Sequence, residues 1–160
     1  DGSHDARIMF IGEAPGRNEA KTGRPFCGAA GKILDELLSS VGIDRESVYI
    51  TNIVKDRPPN NRDPHPAEIE QYAPFLDAQI DIIQPHCIAT LGRFSMEYIM
   101  KKFELAAELE PISRAHGKKY SAKANCGSID ILPLYHPAAA IYNRSLLETL
   151  KTDFQALKGM

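Results

Sequence analysis

The chain alternates short, unbroken apolar runs with longer segments in which apolar residues recur every three or four positions. Arg7-Ile-Met-Phe-Ile11, Val48-Tyr-Ile-Thr-Asn-Ile-Val54, Cys87-Ile-Ala-Thr-Leu91 and Ile129–Leu134 are runs of the first kind, and they read as strands covered on both faces. Between them, Gly28 to Val41 carries Ile33, Leu34, Leu37, Leu38 and Val41 at helical spacing and stops at Gly42. Pro66 to Ile83 carries Ile69, Tyr72, Ala73, Leu76, Ile80 and Ile83, with Pro85 just beyond it; these spacings predict amphipathic helices. Further helices are expected over Phe94–Phe103 and Ser145–Leu157. Glu104–Lys123 is the least patterned stretch; a helical turn and a short strand around Lys119–Ser121 are expected there.

Strands alternating with helices predict an α/β fold. Its architecture is three layers, α/β/α, around a mostly parallel sheet of four strands, with residues 1–160 forming one domain. Three strands end in polar, turn-rich loops: Gly12–Phe26, Asn52–Pro66 and His136–Arg144. Parallel strands share their carboxyl ends, where open α/β sheets bind ligands. The loops are therefore expected to build one cleft holding Glu13, Phe26, Asn52 and His136.

Composition narrows the picture further. The 160 residues are 43% hydrophobic and 25% charged, enough for a real core. No apolar run approaches the roughly 20 residues that span a bilayer, and no secretory signal pattern opens the chain; the cytoplasm is the expected compartment. The chain starts so close to its first strand that a longer N-terminal segment is one expectation. The net charge is −2, so any nucleic-acid contact must be local rather than the work of a global basic field. Cys27, Cys87 and Cys126 are far apart and form no CxxC pair, as ordinary thiols would be. The five histidines and three cysteines never fall at ligand spacings, so no metal site is expected.

An aromatic face, an amide that both donates and accepts, a carboxylate and an imidazole together suit a flat heterocycle with a hydrogen-bonding edge. Taken singly, each has a plainer reading: Phe26 as core, Asn52 as a turn cap, His136 as a loop histidine, Glu13 as part of a Gly-Ala-Pro-Gly turn. Lys55, Arg57 and Arg62 could equally be solvated surface. Gly28-Ala-Ala-Gly-Lys32 fails as a phosphate loop, because Phe26 occupies the position of the first glycine and Ile33 that of the Ser or Thr. Gly12 and Gly16 lack the GxGxxG spacing, and Pro15 removes an amide.

Gly12-Glu-Ala-Pro-Gly16, Gly23-Arg-Pro-Phe-Cys-Gly-Ala-Ala-Gly31, Tyr49-Ile-Thr-Asn-Ile-Val-Lys55 with Arg57-Pro-Pro and Asn61-Arg-Asp-Pro, and Leu134-Tyr-His-Pro-Ala-Ala-Ala-Ile-Tyr-Asn143 occur in this order. Over nearly its whole length the chain resembles the family 4 uracil-DNA glycosylases of the uracil-DNA glycosylase superfamily. The resemblance implies a base-excision repair enzyme that flips deoxyuridine out of DNA and hydrolyses the base–sugar bond, leaving an abasic site. It implies that Phe26 stacks on uracil, Asn52 bonds its Watson–Crick edge and His136 faces O2. Glu13 would position or activate water, with Gly12 and Ala14 shaping the pocket. Arg57, Asn61, Arg62, Pro137, Ala138, Asn143 and Arg144 would meet the DNA. The expected partner is uracil-containing DNA, single- or double-stranded, met by a monomer.

The departures from the family pattern carry expectations of their own. Family 4 enzymes usually hold a 4Fe-4S cluster on four cysteines, two ahead of the first strand and two around the loop after the second. Here Asp56 and Tyr72 stand at the third and fourth positions, and the chain begins after the first pair would occur. No iron is expected, and a polar contact from Asp56 is expected to brace the Asn52–Pro66 loop. Ala20 stands where the family often has an acid. His65 is out of register with the histidine by which a related branch attaches covalently to DNA, so no adduct is expected. The competing expectation is a catalytically weak DNA-binding or replication-accessory module on the same fold.

Overall fold

The computed structural model describes residues 1–125 and 127–160; Cys126 lies outside the described residues. The elements run β1 (Ile8–Gly12), α1 (Arg17–Thr22), α2 (Ala29–Ser40), β2 (Tyr49–Asn52), α3 (Pro66–Ile83), β3 (Cys87–Leu91), α4 (Arg93–Lys102), α5 (Ile112–Ala115), β4 (Tyr120–Ala124), β5 (Gly127–Leu134) and α6 (Arg144–Phe154). The sheet order is β2-β1-β3-β5-β4, with only the β4–β5 pair antiparallel.

Each apolar run is buried on both faces because successive side chains point to opposite sides of a strand. Ile8 and Phe10 of β1 face one core, where Leu34, Leu37 and Leu38 of α2 and Leu150 and Phe154 of α6 close over them. Met9 and Ile11 face the other, covered by Leu76 and Ile80 of α3 and by Met96, Ile99 and Met100 of α4. The three-layer α/β/α arrangement is therefore as expected.

The sheet has five strands rather than four. The short strand expected near Lys119–Ser121 forms as β4 and pairs with β5 as an antiparallel edge, its alternating half-buried and exposed residues marking an edge position. The other difference lies between β1 and Phe26, where a polar loop was expected. Six residues form α1, which has no buried residue and so no apolar stripe by which it could be recognised.

Register positions the cleft. Gly12 pairs with Asn52 across β1 and β2, and Leu91 with Leu134 across β3 and β5. Past the strand ends the backbone stays joined: Ile53 N–H donates to the Gly12 carbonyl (3.0 Å) and Val54 N–H to that of Glu13 (3.0 Å). Glu13, Asn52 and the segment entered at His136 thus leave the sheet at one edge.

Candidate active site

A cavity of about 540 Å³ lies at that edge. Glu13, Ala14, Phe26, Asn52 and His136 line it, and Asn61, Arg62 and Ala138 form part of its rim. Gly12 lies directly beneath: a Cβ there would stand 2.4 Å from Asn52 Oδ1 and 2.7 Å from the Phe26 ring. The side-chain-free position brings the amide and the aromatic ring to one point. Phe26 also meets the imidazole of His136, with ring centroids 5.5 Å apart and planes inclined by 28°.

Phe26 is held unusually. Its φ is 50°, a left-handed conformation that costs a bulky residue about 1–2 kcal/mol. The backbone around it is held by its surroundings. The side chain of Glu19 accepts from the amides of Cys27 (3.2 Å) and Gly28 (3.1 Å) at the start of α2. Gly31 lies where a Cβ would be 1.9 Å from the Phe26 carbonyl oxygen, so only glycine lets α2 pack so close.

Asn52 is 6% exposed, and its Oδ1 is sealed from solvent without a hydrogen-bond partner. Its main chain, by contrast, is fastened: Lys55 Nζ donates to the Asn52 carbonyl (2.7 Å), to Thr51 Oγ1 (2.9 Å) and to Gln79 Oε1 on α3 (2.8 Å). Burial pushes the Lys55 ammonium down to about 8. Lys55 is thus turned inward rather than lying on solvated surface. A buried acceptor without a partner costs about 1–3 kcal/mol, and Asn52 is one of the residues lining the cavity.

His136 accepts the Ala138 N–H at Nδ1 (3.0 Å), which leaves Nε2 as the atom that carries the proton of the neutral ring. Burial pushes its pKa down to about 4, against a smaller opposing pull from Glu19. At neutral pH it is an uncharged donor. Glu13 is shifted the other way. Burial raises its pKa, Asp63 adds to the rise, and Arg93 opposes it; Arg93 is itself paired with Asp63 at 3.0 Å.

The residues expected to meet DNA divide. Arg62 reaches the rim, but its guanidinium forks onto Glu68 at 2.6 and 3.2 Å. Arg57 and Arg144 lie outside the cavity lining, Arg57 donating to Asn61 Oδ1 (2.8 Å). Asn143 caps α6 by accepting the Leu146 N–H (3.1 Å), and Pro137 is buried. Sequence reasoning missed Glu19 and Ile141 in the lining, and Tyr142, 99% exposed on the same loop. Tyr142 stands between Ile141 and Asn143, and that order carries no signal of its exposure.

The two cluster positions do not fit an iron–sulfur group. Tyr72 O–H donates to the Asp56 carboxylate, so each satisfies the other and neither offers a thiolate. Among the described residues, no group of three or more His, Cys, Asp or Glu side chains is placed to hold a metal ion. Cys87 is buried, its thiol pushed up to about 12 mainly by desolvation. Among the described residues no helix is long and apolar enough to cross a membrane.

The chain is 49% identical over 161 residues to a type-4 uracil-DNA glycosylase of Sulfurisphaera tokodaii, covering all of this chain and 72% of that protein. It is 46% identical to the type-4 uracil-DNA glycosylase of Archaeoglobus fulgidus, over 98% of this chain and 77% of the relative. It is also 31% identical to a segment forming 16% of a DNA polymerase of Bacillus phage SP01. Residues 1–158 match the family model described as the uracil DNA glycosylase superfamily, and with the cavity built as above, the chain belongs to that superfamily.

Proposed function

We propose that residues 1–160 act as one monofunctional uracil-DNA glycosylase that takes deoxyuridine out of DNA and hydrolyses its N-glycosidic bond, releasing uracil and leaving an abasic site for base-excision repair. The observation that carries this reading is the unpartnered Oδ1 of Asn52, buried beside an aromatic ring and a neutral imidazole donor. Uracil offers N3–H to that acceptor and O4 to the amide N–H, while its O2 can take the His136 Nε2–H. Cytosine has no N3–H and carries an amine at C4, so it would leave the amide mispaired.

Breaking the C1′–N1 bond puts positive charge on the sugar and negative charge on the base. His136 answers the second with a fixed donor in a dry pocket. The ionised Glu13 carboxylate answers the first, or orients the attacking water, and its turn is the candidate for excluding the C5 methyl of thymine. Beyond the cavity lining, Arg57 and Arg144 would meet phosphates, and Arg62 at the rim, already shared with Glu68, contributes less charge. Asn61 shapes the loop that follows β2, and Pro137, Ala138 and Asn143 the loop that follows β5. Tyr142 is the group exposed enough to fill the stack that the base has left. The reading is of a monomer working on DNA.

A uracil-release assay with chelator present, on U·G, U·A and single-stranded substrates, tests the reading. Free uracil is expected. Tight DNA binding with the base intact would instead favour a DNA-binding module, the reading that the likeness to part of a phage polymerase favours. Because Glu13 must be ionised and its pKa is raised, kcat/KM should fall as pH drops through a value above the ordinary carboxylate range. Glu13→Gln should lower the plateau and abolish that limb.

The same reading holds that no cluster is needed, since the Asp56–Tyr72 contact joins the loop after β2 to α3. Purified protein should lack stoichiometric iron and the visible absorption of a cluster. Tyr72→Phe, which removes only the hydroxyl, is expected to lower Tm measurably, though the exposed position of the contact keeps the effect small. An unchanged Tm would remove that brace from the account.

A further inference from the structure

The geometry points to Arg45, in the short 3-10 turn Arg45–Ser47 ahead of β2, as a positioning residue that fixes the base-stacking ring of Phe26 without touching the cavity. Its guanidinium donates from Nη1 to the Phe26 carbonyl (2.9 Å) and from Nη2 to the Pro25 carbonyl (2.7 Å). Nη1 also donates to Asp35 Oδ1 on α2 (2.8 Å). The side chain is 22% exposed, and Arg45 is absent from the cavity lining. Two successive carbonyls taken by one planar fork is an arrangement that a lysine, with its single point charge, cannot reproduce.

The fork completes a grip on four consecutive residues. The carbonyls of Pro25 and Phe26 are held by a cation, and the amides of Cys27 and Gly28 by the Glu19 carboxylate. Phe26 lies between them at φ 50°, a conformation that persists only where its surroundings over-determine it. Relaxing that φ would redirect the ring away from His136 and from the Asn52 amide. Asp35 neutralises the guanidinium, so the effect reaches the cavity through backbone geometry rather than through charge.

The kinetic consequences rest on the uracil-excision reading. Arg45→Met should reduce kcat/KM for uracil release by about ten- to a hundredfold, the range for loss of charge-assisted hydrogen bonds. The loss should fall mainly on KM, because a stacking surface serves bound base and transition state alike. Arg45→Lys should recover only part of it, and Arg45→Met should leave the salt dependence of DNA binding unchanged.

The deciding measurement is a double-mutant cycle with Phe26→Ala. In that background, replacing Arg45 should change kcat/KM less than twofold. An equal loss in both backgrounds, or a weaker salt dependence in Arg45→Met, would overturn the proposal in favour of a general structural or phosphate-binding role. Should Arg45→Met fail to fold, Arg45→Lys enters the same cycle. NMR supplies an arm independent of activity: the His136 ring signals, shifted by the Phe26 stack, should move in either variant, and unmoved signals would overturn the proposal. Wild-type protein that released no uracil would sink the functional reading alone, leaving the spectroscopic arm to judge Arg45.

Discussion

Asn52→Ala is expected to lower kcat/KM for uracil excision by about 10²–10³ while leaving the protein as stable as the wild type or more so. The first expectation follows from losing both hydrogen bonds to the Watson–Crick edge of a desolvated base; transition-state donors of this kind are typically worth 10²–10³ in rate. The second follows from the free protein, in which Asn52 Oδ1 is buried with no partner. Removing an orphaned acceptor relieves a penalty of about 1–3 kcal/mol, which offsets the packing lost with the amide. Function and stability should therefore move in opposite directions, as they do where a site is kept strained for its ligand.

Asn52→Asp provides the isosteric control. It retains volume and packing but presents only acceptors, so it cannot donate to O4 and should be nearly as impaired as Asn52→Ala at neutral pH. Thermal melts and uracil-release kinetics on the two variants check the whole argument. A large fall in Tm for Asn52→Ala would mean that the amide serves the fold. Near-normal excision by Asn52→Asp would mean that donation to O4 contributes little.

How much of this could be read in advance depends on which physical signal each part leaves in the chain. β1, β3 and α3 were legible because burial on both faces makes a strand apolar throughout, and because Pro66 opens α3 and Gln84-Pro85 closes it. The convergence of Glu13, Phe26, Asn52 and His136 was legible too, since strands running in parallel must end at one edge. α1 left no trace because it buries nothing. Arg45 and Glu19 were invisible for a different reason. Their work is side chain to backbone across 8 to 20 residues, and such contacts impose no periodicity. Arg62 shows the converse: a basic residue in a DNA-facing loop reads as a phosphate contact, yet its fork is taken by Glu68.

His136→Leu is expected to lower kcat for uracil release by about 10²–10³, with a smaller effect on KM, because the donor it removes matters most when charge develops on O2. His136→Gln can place an N–H near the Nε2 position and should recover part of the loss. Both variants forfeit the Nδ1 acceptor for the Ala138 N–H, so a difference between them isolates the donor. The pH dependence separates a neutral donor from a cation. With a folded-state pKa near 4, His136 stays uncharged across the neutral range, so kcat should show no histidine ionisation between pH 6 and 8. A cationic catalyst would lose activity as pH rose through that window. Stability gives the matching sign. The folded pKa lies below the unfolded value of about 6.5, so the unfolded chain binds more protons between the two and acidification from about 6.5 towards 4 destabilises the fold. His136→Leu should be spared that part of the acid loss. A fall in kcat with its midpoint near pH 6.5, well below the value of about 8 at which Lys55 loses its charge, would require a protonated ring, and with it a different assignment of the charge that stabilises the leaving base.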